Sequence, residues 1–547
     1  MTIEQTYYEW THGWHGLITV YAIVAVFQFA GQLRAKADLT AYLVWPGTAL
    51  VTLAVVGIVE TFLLWLLEKF ADLDAHGSTE PKVAVVLIMA GGFIGGFYWA
   101  RRTRPMVAQQ SRGANVMDGT LAQHETRKLQ AKAAKKTSVM RPLTVAGIAV
   151  PAEDEAKHFK FMGTTGSGKS TLLRELLHGA LTRGDRAVIA DPDGGYLSRF
   201  YDPSRGDVIL NPFDTRSAKW NLFAEVRTAY DVDQLARSLI PDPGGHGDPQ
   251  WARYSRTFFA SVVRQAQAVG IDDLGELYRI VTSASKEEIA LLTAGTPAAP
   301  FLEDGNEKMF GGIRSTTTEH LKCLDYIREQ TGPLLSVREW VRSGKGVLFL
   351  PYQAEQIAAL RSIISTWMRL AIFQTMSLGE GDHRLWFAVD ELDALGAIDG
   401  LPDALARLRK FGGRCALGFQ SIAQVSTTYG NGPAQAMVEN CGNTLILRCS
   451  ASESGGTARF ASRLIGEREI VRMNRSVSRG TSGAGGSRTE SESHTEQHAV
   501  ESAVMASEIE QLPDRTGYLK FASQPAWMRV DFPYYEIPKI AEPFRPV

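Results

Sequence analysis

Residues 163–170 read Gly-Thr-Thr-Gly-Ser-Gly-Lys-Ser and decide the fold of the chain. The apolar run 158–162 before them predicts a short strand, and the run 171–177 after them has helical spacing. A strand, a glycine-rich turn of the form G-x-x-x-x-G-K-[ST] and a helix together are typical of a phosphate-binding loop. A Gly-Ser turn that matches this pattern by chance is the alternative, and the position of Lys and Ser between strand and helix argues against it.

The residue types of this loop suit a polyphosphate bound with a metal ion. Its glycines allow the backbone N–H groups to point inward, and the helix adds its positive amino-terminal end. Lys169 is expected to reach the β- and γ-phosphates, and Ser170 to ligate Mg²⁺. The residues predicted to bind ATP are Gly163, Thr164, Thr165, Gly166, Ser167, Gly168, Lys169, Ser170 and Thr171.

A hydrolase also needs carboxylates, and the apolar run 384–389 ends in Asp390-Glu391. We predict that Asp390 holds Mg²⁺ and that Glu391 polarises the attacking water. An acidic turn after a strand is common, so the Asp-Glu pair indicates a hydrolase only in combination with the phosphate loop upstream. Gln420 ends another apolar run, where its amide would sense the γ-phosphate or position water; an ordinary polar strand end explains it equally well.

Composition limits the other possibilities. The 547 residues are 45% hydrophobic and 21% charged, with a net charge of −1. A chain of this charge is not coated in positive surface, so any contact with nucleic acid must be local, as in a channel. The four cysteines lack the spacing of a zinc site and read as reduced thiols; they are Cys323, Cys415, Cys441 and Cys449.

The amino-terminal part, residues 1–104, is predicted to be a transmembrane anchor. Three apolar stretches, 16–33, 42–67 and 83–100, each have about the 20 residues that a spanning helix needs. Basic residues between and after them predict that the amino terminus lies outside and everything after residue 104 inside. Two spans, with the first stretch on the membrane surface, is the alternative. Gly91, Gly92, Gly95 and Gly96 predict close helix packing, within one subunit or between subunits.

The rest of the chain is expected to be an α/β sheet domain interrupted by helices. A basic linker at 105–141 leads to the first part of a nucleotide-binding domain at 142–223, where strands and helices alternate. Amphipathic runs predict an all-α inserted domain at 224–335. The sheet resumes over 336–547, which includes a Ser/Gly/Thr/Glu-rich segment, 476–497, predicted to be mobile.

The order of these features resembles the TraD/TrwB-type coupling proteins of conjugative type IV secretion systems, within the FtsK/HerA-like group of P-loop translocases. The more specific parts of the resemblance are Asn-Pro-Phe-Asp at 211–214 and Gly-Phe-Gln-Ser-Ile-Ala-Gln at 418–424. It extends from the apolar stretches to about residue 538. The chain departs from the family pattern in two ways. It has three predicted spans where the family more often has two, and it ends soon after the core without the long acidic tail of some members.

The resemblance implies a RecA-like P-loop ATPase that forms a hexamer at the bacterial inner membrane, with its ATPase part in the cytoplasm. It implies ATP and Mg²⁺ as cofactors, and as partners single-stranded DNA with its relaxase and the components of a secretion channel. It also implies that Arg409 acts as an arginine finger on a neighbouring subunit's nucleotide, although a helix surface charge is the default interpretation. Alternatives are an ATP-switched receptor for secreted proteins and an FtsK-like DNA translocase.

Overall fold

We describe the chain from a computed structural model, which covers residues 13–34, 37, 42–56, 58, 80–102, 109–135, 141–242, 248–452, 455–482 and 487–547. Contacts divide the chain into two compact units. The first combines Met1–Arg112 with Glu469–Val500, and the second combines Gly113–Arg468 with Glu501–Val547.

The first unit contains two long helices, Gly13–Arg34 and Glu80–Arg102, and a helical stretch at 45–56. The long helices pack tightly because glycines bring the backbones together. A Cβ atom on Gly96 would lie 2.2 Å from the carbonyl oxygen of Gln28, and one on Gly92 would lie 2.8 Å from that of Val24. The predicted glycine-mediated packing therefore occurs within one chain.

The other two glycines of this helix face the stretch at 45–56. A Cβ atom on Gly91 would meet Val56 at 2.4 Å, and one on Gly95 would meet Thr52 at 2.6 Å. Gln28, buried in the first helix, donates a 2.7 Å hydrogen bond to the Thr48 hydroxyl. The small residues thus allow both neighbours to approach the same helix.

The predicted spans 16–33 and 83–100 lie in these two long helices, whereas residues 57 and 59–67 of the predicted span 42–67 lie outside the described residues. Within the part of the chain that the structure describes, none of the helices combines the length and apolar character needed to cross a membrane. The three predicted spans are therefore not confirmed.

The second unit is built on a ten-stranded sheet. In sheet order its strands are Val116–Asp118, Trp527–Asp531, Thr516–Lys520, Asn443–Ile446, Phe159–Met162, Gly413–Phe419, Leu385–Val389, Arg186–Pro192, Val347–Tyr352 and Val208–Ile209. Only Thr516–Lys520 runs against the others.

The central strands are mostly apolar because both faces of the sheet are covered. Trp386 belongs to the core on the face of helix Lys169–Thr182, and its neighbour Phe387 belongs to the core on the other face. Helix Ile357–Met376 contributes its buried residues to that second core. The α/β class predicted from the sequence is confirmed.

The helices of the second unit are Thr120–Lys135, Lys169–Thr182, Leu197–Phe200, Ala229–Leu239, Pro249–Ala268, Leu274–Thr282, Lys286–Leu292, Glu307–Arg328, Val337–Ser343, Ile357–Met376, Leu401–Arg407, Ile422–Tyr429, Asn431–Asn440, Gly456–Ile465 and Ala506–Glu510. Single 3₁₀ turns lie at Pro203–Arg205, Phe223–Glu225, Ala299–Leu302, Leu392–Leu395 and Leu408–Phe411. One small sheet pairs Thr144–Val145 with Ile148–Ala149, and another pairs Lys219–Trp220 with Leu334–Leu335.

A helical segment separates Val208–Ile209 from its sheet neighbour Val347–Tyr352. The two short strands Lys219–Trp220 and Leu334–Leu335 bring its two ends together. At this base the buried Glu225 carboxylate accepts hydrogen bonds from the Trp220 indole at 3.0 Å and from the Val337 N–H at 2.6 Å. The chain can therefore leave the sheet, form its helices and return to the adjacent strand.

The start of the sheet differs from the sequence-based expectation. The sheet starts before residue 142, because Val116–Asp118, in the predicted linker, pairs with Trp527–Asp531. These short strands gain their order from that distant partner, which local sequence does not reveal. In the segment 476–497, the described residues belong to strands Glu467–Ser482 and Ser487–Ser502, which form a three-stranded sheet with Gln109–Gly113. Whether this segment is mobile stays a prediction.

Candidate active site

The predicted site residues follow adjacent parallel strands. In register, Met162 pairs with Phe419, Leu417 with Val389, and Val389 with Ala190. The next residues along these strands are therefore brought to one edge of the sheet. They are the phosphate loop, Gln420, Asp390-Glu391 and Asp191. Ligands of open α/β sheets bind at this carboxyl edge.

The phosphate loop needs glycine at two of its positions. Gly166 has φ of 78° and Gly168 has φ of 115°, in the left-handed region that other residues rarely adopt. Gly168 is the last residue before helix Lys169–Thr182. The loop is also held by its neighbours, since the Thr164 N–H donates to the Arg448 carbonyl at 2.8 Å and the Ser167 hydroxyl donates to the Thr164 carbonyl at 2.6 Å.

Lys169 is buried at the start of the helix, and its Nζ donates a 2.8 Å hydrogen bond back to the Gly163 carbonyl. Burial lowers the pKa of Lys169 from its ordinary value, while the nearby carboxylates of Asp390 and Glu391 oppose that effect. The ammonium group is thus kept next to the two acids and the glycine-rich turn, where a bound phosphate would be its counter-ion.

The two predicted metal ligands are in direct contact. The Ser170 hydroxyl donates a 2.6 Å hydrogen bond to Oδ2 of Asp390. Hydroxyl and carboxylate oxygens next to a phosphate loop are the hard ligands that Mg²⁺ prefers. Their chemistry and contact fit a Mg²⁺-nucleotide, with residues 163–171 around the phosphates and Ser170 and Asp390 at the metal.

Glu391 and Gln420 are linked to the phosphate loop by a chain of hydrogen bonds. The Gln420 amide nitrogen donates to Oε1 of Glu391 at 3.1 Å, and its oxygen accepts from the Thr165 hydroxyl at 3.0 Å. Burial raises the pKa of Glu391, the charge of Asp390 raises it further, and Lys169 and Gln420 oppose these effects. A half-buried carboxylate held in this way suits a general base.

Arg409 is not part of this cluster. It is an exposed residue of the turn Leu408–Phe411, which precedes strand Gly413–Phe419. It therefore lies towards the amino end of the strand whose carboxyl end leads to Gln420. An arginine that serves a neighbouring subunit has no reason to contact the site of its own chain, so this position is compatible with the predicted finger.

Tyr196 and Asp191 also belong to this cluster, although neither was predicted from the sequence as a site residue. The buried Tyr196 hydroxyl donates a 2.9 Å hydrogen bond to Oδ2 of Asp390. Asp191 accepts from the backbone N–H groups of Tyr196 at 3.0 Å and Leu197 at 2.6 Å, and burial raises its pKa to about 7. The Asp-Pro-Asp-Gly-Gly turn at 191–195 was visible in the sequence, but the adjacency of strands Arg186–Pro192 and Leu385–Val389 was not.

The run Asn-Pro-Phe-Asp at 211–214 supports this edge of the sheet without reaching the reacting groups. The Asn211 amide donates to the Pro351 carbonyl at 2.9 Å, at the end of strand Val347–Tyr352. Asp214 accepts a 2.6 Å hydrogen bond from Arg216 and one of 3.2 Å from the Arg545 N–H. The motif therefore fastens carboxyl-terminal residues to the loops beside the site.

Comparisons with known proteins agree with this geometry. Residues 142–533 match the model of the type IV secretion-system coupling protein DNA-binding domain. The chain belongs to this coupling protein family. The predicted resemblance to TraD and TrwB is thus confirmed.

Individual relatives support the assignment. The chain is 30% identical over 495 residues to coupling protein TraD of Escherichia coli K12. The matched region covers 89% of this chain and 66% of TraD. It is 26% identical to a conjugal transfer protein TraG of Escherichia coli over 47% of this chain and 46% of TraG. The chain thus spans less than two thirds of the length of these curated relatives.

Solved structures of this family have the same fold. The unbound conjugative coupling protein TrwBΔN70 superposes with a TM-score of 0.69 at 29% identity, covering 81% of this chain and 98% of TrwBΔN70. TrwB in complex with ADP and Mg²⁺ superposes with a TM-score of 0.68 at 29% identity, covering 81% of this chain and 99% of that structure.

Proposed function

We propose that this chain is a membrane-associated ATPase that recruits a relaxosome to a type IV secretion channel and drives DNA transfer in conjugation. The relaxosome consists of a relaxase with single-stranded DNA. The observation that carries the proposal is the hydrogen-bonded line from Thr165 through Gln420 to Glu391, beside the contact between Ser170 and Asp390, in a coupling protein fold.

Each side chain at this site has a separate role in hydrolysis. Lys169 and the N–H groups of residues 163–171 bind and orient the triphosphate, and Ser170 and Asp390 hold Mg²⁺. When bound, the metal neutralises charge that develops on the phosphate oxygens. Glu391 orients and polarises the attacking water, and its raised pKa makes it a stronger base than an exposed glutamate.

Gln420 is placed to sense hydrolysis, because it contacts the catalytic acid on one side and the phosphate loop on the other. Loss of the γ-phosphate would change both contacts. Strand Gly413–Phe419 would transmit that change to the turn that carries Arg409. We propose that Arg409 completes the nucleotide site of a neighbouring subunit in a homo-hexamer, as arginine fingers do.

We place the protein at the bacterial inner membrane, with its ATPase part in the cytoplasm. The apolar stretches within residues 1–104 and the arginines at 101, 102 and 104 support this orientation. Carbonate extraction of the full chain would test the attachment. Protein that stays with the membrane pellet would support an inserted anchor, whereas release into the supernatant would limit the proposal to peripheral association.

The decisive experiment is ATP turnover by the full chain with and without single- and double-stranded DNA. Lys169→Ala removes the phosphate contact, and Glu391→Gln keeps the size of the side chain while removing its charge. Turnover that rises with DNA and disappears in both variants would support the proposed motor. Turnover that is unaffected by DNA but rises with a relaxase would contradict the motor and support the ATP-switched receptor.

A further inference from the structure

Tyr196 reaches the metal-site carboxylate from outside the predicted motifs. It follows strand Arg186–Pro192, and the residue is 1% exposed. Its hydroxyl donates to the same oxygen, Oδ2 of Asp390, that accepts from Ser170. The carboxylate is thereby held from two sides, by the phosphate loop and by the segment after the neighbouring strand.

Packing alone does not explain this tyrosine. Its ring lies under the Arg174 guanidinium, 5.4 Å from the ring centroid, and beside the ring of Phe200 at 6.5 Å. A phenylalanine would make the same ring contacts. A buried hydroxyl costs free energy unless it forms a hydrogen bond, and this one forms it with the carboxylate predicted to hold the metal.

The backbone around Tyr196 is fastened so that the hydroxyl has a defined position. Asp191 accepts from the N–H groups of Tyr196 and Leu197, and the Ser198 carbonyl accepts from the N–H of Ile540 at 2.8 Å. Gly194 allows the close approach of Pro543, whose carbonyl oxygen would lie 2.3 Å from a Cβ atom at position 194. The segment is therefore anchored to both the sheet and the carboxyl-terminal residues.

We propose that Tyr196 is a positioning residue that orients the Asp390 carboxylate for Mg²⁺. This inference rests on the proposed ATPase function and deepens it. Ser170 donates to Asp390 and would also ligate the metal, so it would not fix the carboxylate independently of the metal. Tyr196 supplies a second, metal-independent hydrogen bond to the same oxygen.

The test compares Tyr196→Phe with Tyr201→Phe in the full chain. Tyr201 lies in the same segment, where its half-buried ring contacts Phe349 at 6.1 Å and Arg216 at 5.7 Å, so this variant controls for loss of a hydroxyl. Binding of a fluorescent ADP analogue is titrated with Mg²⁺ and repeated in EDTA. We expect Tyr196→Phe to raise the half-saturating Mg²⁺ concentration on the order of tenfold, as follows from losing a hydrogen bond to a charged group.

The same experiment separates the inference from the function on which it rests. Wild-type protein that binds the analogue without any Mg²⁺ dependence would overturn the proposed metal site itself. A Mg²⁺-dependent wild type with an unchanged Tyr196→Phe curve would overturn the role of Tyr196 alone. Weaker binding of Tyr196→Phe in EDTA as well would assign the tyrosine to folding of the loop, and it would also overturn the inference.

Discussion

The side-chain amide of Gln420 donates a 3.1 Å hydrogen bond to Oε1 of Glu391. The two residues are 29 positions apart in the chain, yet they follow two paired parallel strands. Gln420 comes directly after Gly413–Phe419, and Glu391 is the second residue after Leu385–Val389. Gln420 also accepts a hydrogen bond from the Thr165 hydroxyl, so it contacts both the catalytic acid and the phosphate loop. A sensor requires contact with both.

Replacement of Gln420 by alanine should slow hydrolysis without weakening nucleotide binding. The variant loses the donor that orients Glu391, so we expect kcat to fall about 100-fold, the usual effect of removing one positioned donor, with KM nearly unchanged. Gln424→Ala is the matched control, since Gln424 is exposed on the next helix, Ile422–Tyr429. Equal activity of the two variants would contradict the sensor role.

The pH dependence of turnover should reflect the environment of Glu391. Burial and the charge of Asp390 raise the pKa of Glu391 above its usual 4.5, so its base form is lost at a higher pH than in an exposed glutamate. We expect kcat/KM to decline on the acid side with a midpoint above 4.5. In Gln420→Ala this midpoint should move further up, because the hydrogen bond from Gln420 lowers the pKa. A midpoint that moves down would rule out Glu391 as the base.

Arg409 should act between subunits. Arg409→Ala and Lys169→Ala should each lower turnover at least about 1,000-fold, the usual worth of an arginine finger. If each site combines Lys169 of one subunit with Arg409 of the next, random mixing of the two variants rebuilds roughly a quarter of the sites. Co-expressed variants should therefore regain measurable turnover. Lys410→Ala, at the adjacent exposed position, is the control. No recovery on mixing would argue against a finger in trans.

Acid should destabilise the nucleotide-binding unit through His158. This buried ring accepts from the Cys415 N–H at Nδ1, 3.0 Å away, and Nε2 lies 3.0 Å from the Leu405 carbonyl, so the neutral ring satisfies both partners. Burial lowers the pKa of His158 from 6.5 to about 4. Between pH 6.5 and pH 4 the unfolded chain binds a proton at His158 that the folded chain does not bind. The free energy of unfolding is therefore unaffected by His158 above pH 6.5, and it falls by roughly 3 kcal/mol in total as the pH approaches 4.

The measurement is the midpoint of thermal unfolding between pH 7.5 and 4.5. His158→Asn is a suitable variant, because asparagine tolerates the left-handed backbone at this position, where φ is 54°. We expect the midpoint of the wild type to fall more steeply with acid than that of the variant. Parallel curves would show that another group is responsible.

Local sequence by itself predicted the phosphate loop, the order of the main strands along the chain, and Lys169, Ser170, Asp390, Glu391 and Gln420 as candidate site residues. Each of these features can be recognised from a short segment of sequence, such as glycines that permit positive φ or an apolar strand that ends in a polar residue. The sequence also supported the family, because its motifs occur in the right order along the chain. Its three predicted spans find no support among the described helices.

Only the tertiary structure decided which strand ends lie side by side. Asp191 and Asp390 are 199 positions apart in the numbering of the chain, yet the pairing of their strands brings Tyr196 onto Asp390. The strand Val116–Asp118 likewise exists through its pairing with Trp527–Asp531. The physical reason is common to both cases: parallel pairing joins distant segments through backbone hydrogen bonds, which leave no periodic mark in either segment alone.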